Sequence, residues 1–293
     1  MVRIARPRLA KRALGILCAF AVLGSVRAQV ANWEIGFSSV KGGQPTKSVA
    51  VPLEEGGMLV AVVLPGAEAG RPVSNRAGQA VSTEVIGMDP VSRLCFLKTA
   101  GVNDRLAWGK AAPYTPGTPM HAPGPVRARA SGWVKQIGTK VLPFALLRIS
   151  FEGAVPATGS PICTEDGRVV ALVFQGADTA DSAYAIPVEA VQRVKADVLR
   201  DGKLVKGWLG LSLRAESPSP QVMRVSPDSP ALKAGIKPND VLLQVGTRPV
   251  SNYADAANAF FYLVPEEPVV LRLLRGATEM SLTITPVVTP VGK

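Results

Sequence analysis

The stretch PATGSPICTEDGRVVAL, Pro156 to Leu172, joins a turn to a β-hairpin. The hairpin turns at Asp166-Gly167, a dipeptide that favours tight turns between strands. The run that follows, RVVALVF from Arg168, has strand length and is rich in β-branched residues. The stretch therefore predicts a turn at PATGSP that is followed by a β-hairpin.

Similar short apolar runs recur on both sides of this stretch. The chain has 293 residues with 28 Gly, 25 Pro and 5% aromatic residues, a mix that suits a β-rich protein with many turns. Many short strands separated by turns favour a barrel or a sandwich. The runs that predict strands are MLVAVVL (58–64), STEVIGM (82–88), RLCFLKT (93–99), SGWVKQI (131–137), FALLRIS (144–150) and RVVALVF (168–174).

A segment of different character follows these strands. In PVEAVQRVKADVLRDGK (187–203), valines recur at helical spacing, Pro187 suits the first turn and Gly202 suits a C-cap. The pattern predicts one amphipathic helix that closes the first unit. Before it, WGKAAPYTPGTPMHAPGPVRARA (108–130) is predicted to be a Pro/Gly-rich surface loop that contains His121.

A second unit runs from Gly207 to about Pro286. We expect a loop that runs into a strand at GWLGLSL, a strand at QVMRVSP, a short helix at SPALKAGI ended by Gly235, and a hairpin with Gly246 in its turn. NYADAANAFFYLV predicts a helix with Asn252 as its N-cap. PVVLRLLRG and EMSLTITP then predict a closing hairpin.

The N-terminus has the composition of an export signal. MVRIARPRLAKR is basic, ALGILCAFAVLG is apolar, and Val26 and Ala28 supply small residues before a cut after Ala28. An uncleaved membrane anchor is the alternative, and would be the chain's only link to a membrane. Cleavage removes six basic and no acidic residues, which leaves a net charge of +5. This ordinary charge, without a basic run interleaved with aromatics, argues against nucleic-acid binding.

Two cysteines remain after that cleavage, Cys95 and Cys163. In an exported protein they could pair, or they could stay as two buried free thiols, and the sequence leaves both options open. No CxxC motif and no His/Cys cluster occurs, so neither a structural zinc site nor another cofactor is expected.

The order of these parts resembles the HtrA (Deg) family of exported proteases. The residues that carry the resemblance are VIGMDPVSRLCFLK, SGWV, AYAIPVEAVQRV, GWLGLSL and SPALKAGIKPNDVLLQVGTRPV. It implies a mainly β fold, a trypsin-like double six-stranded β-barrel followed by a connecting helix and a PDZ domain. The implied division is a signal peptide at 1–28, a protease-fold domain at 29–204 and a PDZ domain at 205–288.

The resemblance also marks the positions of the family's catalytic triad, in which a histidine oriented by a carboxylate activates a serine. LVAVVLPG places Leu64 at the histidine, SRLCF places Arg93 at the aspartate, and PATGSP places Thr158 at the serine. Leucine cannot exchange a proton, and arginine cannot stabilise an imidazolium. The loop that binds the oxyanion also differs from the family's pattern. Pro156 stands where the family has a glycine whose N–H would face the oxyanion, and proline has no N–H.

Three other residues are candidates to replace the missing groups. His121 is the chain's only histidine, but it lies where the family has no catalytic group. Cys163 lies five residues past Thr158 and Ser160 lies two residues past it, and no base is placed beside either by the sequence. We therefore expect no catalytic residues in this chain. Arg93 could bind an acidic group, or be solvated or paired.

The PDZ-like unit needs no triad to bind a peptide. PDZ domains add an extended peptide to a sheet edge and hold its C-terminal carboxylate with backbone N–H groups. Small alanines on the facing helix, Tyr253–Leu263, leave room for a large apolar side chain, although the same residues could serve only for packing. The predicted peptide-binding residues are Gly207, Trp208, Leu209, Gly210, Leu211, Ser212, Ala254 and Ala257, with Ala256 as a further small residue.

The sequence leads to one main functional hypothesis and two alternatives. The main one is an exported HtrA-like pseudoprotease in the periplasm or cell envelope, which binds C-terminal or extended peptide segments as an adaptor, regulator or chaperone-like protein. The first alternative is a divergent active endopeptidase that uses Thr158 or another group. The second is a structural oligomer subunit, for which the resemblance implies a homotrimer.

Overall fold

The computed structural model describes residues 33–39, 46–53, 56–76, 79–102, 106–110, 112–124 and 126–290. The predicted export signal and Cys18 lie outside these residues. The described chain forms two closed β-barrels, a helix and a smaller C-terminal unit, as the sequence predicts. No helix in these ranges is both long enough and apolar enough to cross a bilayer.

The first barrel closes in the strand order β1-β2-β3-β6-β5-β4. Its core follows the alternation of β1, in which Trp33, Ile35 and Phe37 are buried while the residues between them face outward. The six strands are β1 (Trp33–Ser39), β2 (Thr46–Pro52), β3 (Met58–Val62), β4 (Ala67–Arg76), β5 (Gln79–Met88) and β6 (Leu94–Thr99).

The second barrel closes in the order β10-β11-β12-β9-β8-β7. Its core contains Leu147, Ile149 and Ile162, which are fully buried. The six strands are β7 (Pro119–Ala122), β8 (Val126–Ile137), β9 (Lys140–Phe151), β10 (Pro161–Cys163), β11 (Val169–Gly176) and β12 (Ser182–Pro187).

His121 lies on a strand and not in a surface loop, so that prediction was wrong. Its strand β7 pairs with β8, where His121 faces Arg127, and with β10, where it faces Cys163. Closure of the barrel requires a sixth strand between β8 and β10, and this requirement overrides the turn-forming composition of the segment. The side chain of His121 is half-buried.

The largest apolar cluster lies between the two barrels and extends to the helix α1 (Val188–Asp201). Val62 and Phe96 from the first barrel and Leu172 and Ile186 from the second are fully buried in it. The helix is flanked by Pro187 as its N-cap and by Gly202 as its C-cap, and the φ of 73° at Gly202 is the left-handed conformation expected of a C-cap glycine. The predicted C-cap is confirmed, whereas Pro187 precedes the first turn in which it was predicted.

The C-terminal unit is a set of small sheets with two helices. Its core includes Leu209, Leu242, Ala256 and Leu271. Asn252 is the side-chain N-cap of α3, as predicted, and Ser229 is the side-chain N-cap of α2. The elements are β13 (Gly207–Trp208), β14 (Leu211–Leu213), β15 (Val222–Val225), α2 (Pro230–Lys233), β16 (Val241–Val245), β17 (Arg248–Pro249), α3 (Tyr253–Phe261), β18 (Val269–Arg275), β19 (Thr278–Ile284) and β20 (Val287–Val288).

Helix α3 joins this unit to the second barrel. Lys135 of β8 pairs with Asp255 at 2.5 Å. The rings of Phe144 on β9 and Phe261 on α3 are 4.7 Å apart between centroids. Because α3 also forms one wall of a groove described below, this contact fixes that groove relative to the barrels.

Both cysteines of the barrels are buried free thiols. Cys95 lies on β6 of the first barrel and Cys163 on β10 of the second. Burial raises the pKa of the Cys95 thiol to about 12 and that of Cys163 to about 11. Of the two options left open by the sequence, the structure has the unpaired one.

Candidate functional site

The first candidate site contains the predicted triad positions. Two of them lie on the first barrel, where strand β3 ends and strand β6 begins. Leu64 lies two residues past β3, and Arg93 directly precedes β6. The backbone N–H of Val63 donates to the carbonyl of Arg93 at 2.8 Å. The pairing of these two strands therefore brings the Leu64 and Arg93 positions next to each other.

Arg93 reaches across to the second barrel. Its guanidinium carbon lies 4.8 Å from the centroid of the Phe174 ring, a cation–π contact. Burial lowers the pKa of Arg93, and no neighbouring acid contributes to that pKa. Arg93 also has a φ of 60°, the left-handed region that costs a non-glycine residue about 1 kcal/mol or more.

The turn of the quoted stretch holds Thr158 on the second barrel. The N–H of Ser160 donates to the carbonyl of Ala157 at 3.0 Å, which closes a β-turn with Thr158 and Gly159 at its centre. Gly159 has a φ of 85°, as the third residue of a type II turn requires. A Cβ on Gly159 would lie 2.0 Å from the carbonyl oxygen of Val49, so the turn is pressed against the first barrel.

The carbonyl of Thr158 is bound by the first barrel. It accepts hydrogen bonds from the N–H of Val49 at 2.8 Å and from the hydroxyl of Ser48 at 3.1 Å. The hydroxyl of Thr158 donates to the carbonyl of Phe174 at 3.4 Å. Thr158 and Arg93 therefore both contact Phe174, and Leu64 lies next to Arg93. We call the region between the barrels that Leu64, Arg93, Thr158 and Phe174 define the inter-barrel cleft.

This cleft contains a hydroxyl and a guanidinium but no imidazole. The only histidine of the chain, His121, pairs with Cys163 across β7 and β10. The hydroxyl of Thr158 donates to a carbonyl, which cannot remove its proton. Cys163 is no better as a nucleophile, since its raised pKa leaves it protonated at neutral pH. Among the described residues, no group of three potential metal ligands is found.

A second site is the groove between β14 and α3, with a volume of about 300 Å³. One wall is the segment that runs into β14, and the other is α3 with the chain that follows it. Pro143 of β9 and Thr289 complete the lining. The groove is lined by Pro143, Lys206, Gly207, Trp208, Leu209, Gly210, Leu211, Ala257, Phe260, Phe261, Leu263 and Thr289.

Two backbone donors at one end of this groove have no acceptor among the residues that the structure describes. They are the N–H groups of Leu209 and Gly210, whereas the N–H of Gly207 donates to Leu263 at 3.2 Å. Gly210 has a φ of 80°, and a Cβ there would lie 2.1 Å from the Cβ of Ser229. Such a pair of N–H groups without acceptors, in a turn with a positive φ, is typical of an anion-binding loop.

One wall of the groove is a strand with an unpaired edge. β14 pairs with β15 on one side only, so its other edge faces α3 across the groove. Of the predicted residues, Ala257 lies in the wall, while Ala254 is not part of the lining and Ala256 is fully buried in the core. Ser212 is on β14, and its hydroxyl is buried without a partner among the described residues.

Several lining residues were not predicted from the sequence. Phe260 follows Ala257 by three positions, so the helical period could have identified it. Lys206 immediately precedes the predicted segment. Pro143 belongs to the barrel and carried no local signal for this role.

Comparison with known proteins finds matches for both units of the chain. A PDZ-domain family model matches residues 207–285. A relative from Chlamydia pneumoniae, named as a "probable periplasmic serine endoprotease DegP-like", is 27% identical over 233 residues, which is 71% of this chain and 48% of the relative. Serine endoprotease DegS of Escherichia coli K12 is 25% identical over 114 residues, which is 35% of this chain and 32% of DegS.

Two solved structures share the fold over 90% of this chain. The HtrA-type protease AlgW with a tripeptide has a TM-score of 0.67 at 18% identity and covers 90% of this chain and 95% of AlgW. A serine endoprotease from Yersinia pestis has a TM-score of 0.58 at 18% identity, with 90% and 96% covered. This chain spans about half or less of the length of the curated relatives it matches. In fold and in sequence, the chain thus resembles the HtrA/DegP-type trypsin-like serine proteases, and it ends in a PDZ domain.

Proposed function

We propose that this protein is an HtrA-like pseudoprotease that binds peptides through its PDZ groove without cutting them. The observation that carries the proposal is the composition of the inter-barrel cleft. Leu64, Arg93 and Thr158 come together there, and no imidazole stands beside the hydroxyl. Acyl transfer by a hydroxyl requires a neighbouring base, because the unassisted hydroxyl is a weak nucleophile.

A second reason to expect no cleavage is the loop that precedes Thr158. In a trypsin-like site, two backbone N–H groups stabilise the oxyanion of the tetrahedral intermediate. Pro156 supplies none at the first of these positions, and loss of one such donor lowers kcat by about 10²–10³. This defect is independent of the triad, so restoring a base alone would not restore full activity.

The PDZ groove supplies the binding function. An extended peptide would pair with the open edge of β14, and its terminal carboxylate would accept from the N–H groups of Leu209 and Gly210. Ala257 leaves space for a large apolar side chain between Phe260 and Leu211. The Lys206 ammonium adds positive charge near the carboxylate. The solved AlgW structure, which shares this fold, contains a tripeptide.

Such a protein would act in the cell envelope as an adaptor, a regulator or a chaperone-like binder. Several relatives are named as periplasmic, and the first 28 residues have the composition of an export signal. A homotrimer is the oligomer expected from the resemblance. The adaptor, regulator and chaperone-like roles all need the PDZ groove, and none of them needs cleavage of a peptide bond.

The test is a cleavage assay with a matched variant. The purified protein and its Thr158→Val variant are incubated with casein, and fragments are followed by mass spectrometry. We expect no fragments above the blank from either protein. Fragments from the parent protein that disappear with Thr158→Val would overturn the proposal.

A second candidate is an active endopeptidase that uses Thr158. It is favoured by the names of the relatives, which are serine endoproteases, and by the hydroxyl retained at this position. It predicts turnover that depends on Thr158, so the same assay separates the two candidates.

A further inference from the structure

Helix α1 carries a buried ion pair between Arg193 and Asp197, which lie one helical turn apart. Their side chains are 7% and 1% exposed. Two charges inside a protein contribute little net stability, because the loss of their hydration offsets their attraction. The Nε of Arg193 adds to this cost, since it is buried without an acceptor among the described residues. Stability alone therefore does not explain the pair.

Both members of the pair bind the backbone of the segment that leads into the PDZ domain. The N–H of Val205 donates to the carboxylate of Asp197 at 2.8 Å. The carbonyl of Val205 accepts from the guanidinium of Arg193, also at 2.8 Å. Lys206 and Gly207 follow directly and line the groove. The pair therefore fixes the start of one wall of the groove.

The same guanidinium also binds the opposite wall. Its Nη2 donates to the carbonyl of Leu263 at 3.0 Å, and Leu263 is buried in the lining of the groove behind α3. The carbonyl of Leu263 accepts a further hydrogen bond from the N–H of Gly207 at 3.2 Å. A Cβ at Gly207 would lie 2.9 Å from the carbonyl oxygen of Leu263. Arg193 thus binds both walls close to the point where they touch.

Helix α1 is itself fixed on the barrels. Val191, Val194 and Val198 are buried in the apolar cluster between the two barrels. A Cβ at Gly87 of β5 would lie 2.6 Å from the carbonyl oxygen of Gly202, so the C-terminal end of α1 is packed against the first barrel. The walls of the groove are therefore held by a helix that belongs to the protease-fold part of the chain.

We propose that Arg193 and Asp197 are positioning residues of the PDZ groove. They set the distance between its walls, and thereby its preference for the last side chain of a bound peptide. The inference rests on the proposed binding of peptides in this groove. The pair does not touch the peptide and acts through Leu263 and Gly207.

The physical reason is the short range of apolar contacts. A gap of about 0.5–1 Å between two atoms removes a quarter to a half of their dispersion attraction. A small displacement of Leu263 would therefore weaken the grip on a large apolar side chain more than the grip on a small one. Arginine suits this role, because its planar fork holds several acceptors in fixed directions.

The test measures a ratio of two affinities, because a partly unfolded sample changes both affinities equally. Two fluorescein-labelled hexapeptides with free C-termini, Ser-Gly-Ser-Val-Val-Leu and Ser-Gly-Ser-Val-Val-Ala, are titrated by anisotropy. We expect the leucine peptide to bind the parent protein about tenfold more tightly than the alanine peptide. In Arg193→Met/Asp197→Leu, which removes both charges and leaves neither buried alone, the ratio should fall to about threefold or less.

The matched control is a second ion pair, between Arg275 and Asp240 within the PDZ domain. The carboxylate side chain of Asp240 is 1% exposed, and Arg275 also binds the carbonyl of Gly235 at 2.7 Å. Within the part of the chain that the structure describes, neither side chain bonds to a residue of the groove lining. Arg275→Met/Asp240→Leu should keep the ratio of the parent protein. An unchanged ratio in Arg193→Met/Asp197→Leu, or an equal fall in the control, would overturn the inference.

Arg193→Lys replaces the double variant if that variant does not fold. Lysine keeps the charge beside Asp197 but lacks the planar fork that spans Val205 and Leu263. We expect its ratio to fall by about threefold. A ratio equal to that of the parent protein would then overturn the inference.

Hydrogen exchange separates a failure of this inference from a failure of the proposed function. The N–H of Gly207 should exchange faster in either variant of Arg193 than in the parent protein, because its acceptor on Leu263 is held less firmly. A parent protein that binds neither peptide would overturn the proposed function and the inference with it. Peptide binding by the parent protein, with the same ratio and the same Gly207 exchange in the variant, would overturn the inference alone.

Discussion

The side-chain oxygen of Asn258 accepts a 2.6 Å hydrogen bond from the backbone N–H of Ala145. Asn258 lies on the PDZ helix α3 and Ala145 on strand β9 of the second barrel, and both are buried. A strand donor that would otherwise need a strand partner is thus satisfied by the neighbouring domain. The PDZ domain and the barrel therefore share one buried polar contact in addition to their apolar packing.

Replacement of Asn258 should loosen this junction. Asn258→Ala leaves the N–H of Ala145 buried without an acceptor, which costs about 1–3 kcal/mol. Asn258→Asp keeps an acceptor oxygen and is the matched control. Thermal unfolding measures the loss, and hydrogen exchange at Ala145 locates it. Equal stability of Asn258→Ala and the parent protein would show that the contact contributes nothing.

The turn at Gly159 should tolerate no side chain. Gly159→Ala combines a positive φ with a Cβ 2.0 Å from the Val49 carbonyl, so we expect a loss of about 3 kcal/mol or more. Gly167→Ala is the control, because Gly167 has a φ of 81° but open space around it. Its cost should be about 1 kcal/mol. Similar unfolding midpoints for the two variants would disprove the close approach of the barrels.

A larger side chain at Ala257 should block the PDZ groove. Ala257→Leu is expected to weaken binding of a fluorescent hexapeptide with a C-terminal leucine by about tenfold or more, because the groove is filled. Ala254→Leu changes the same helix outside the lining and should bind normally. The amidated hexapeptide should bind weakly to all three proteins. Anisotropy titrations measure these affinities, and an unaffected Ala257→Leu would exclude the groove.

The thiols of Cys95 and Cys163 should resist alkylation in the native protein. With pKa values of about 12 and about 11, fewer than about one in a thousand is ionised at pH 8, and only the thiolate reacts. Iodoacetamide should label both only after unfolding in guanidinium, as read by peptide mass spectrometry. Labelling should rise with pH as it approaches 11. Stoichiometric labelling of either residue at pH 8 in native protein would contradict this burial.

The backbone at Arg93 should favour glycine over other short residues. Arg93→Gly and Arg93→Ala both remove the contact with Phe174, but only the first relieves the φ of 60°. We expect Arg93→Gly to be more stable than Arg93→Ala by about 1 kcal/mol. Chemical denaturation of the two variants measures the difference, and the reverse order would mean that the left-handed backbone is absent.

Local patterns in the sequence were sufficient to predict most of the fold. The valine period of α1, the N-cap Asn252 and the turn signals at Gly202 and Gly246 act within a few residues, so they can be interpreted without tertiary context. His121 was placed wrongly because its strand exists only to close a barrel.

The candidate sites were predicted less completely, because part of each site depends on contacts between segments that are far apart in the sequence. Leu64, Arg93 and Thr158 could be located because each lies in a recognisable run. Pro143 could not be assigned to the PDZ groove, because its role follows from the docking of α3 on β9. Ala256 and Ala257 are identical in type, and only the rotation of the helix decides which one faces the groove.

The attachment of α3 to β9 also links the occupancy of the groove to the stability of the barrel. Pro143 of β9 lines the groove, and Asn258 of α3 accepts from the N–H of Ala145, so the helix and the strand share one framework. A ligand that binds the folded groove and not the unfolded chain adds its binding free energy to the free energy of unfolding. Because the two units are joined by buried contacts, this stabilisation would extend from the groove into the second barrel. Slower hydrogen exchange in β9 would then report on a ligand that the barrel itself does not touch.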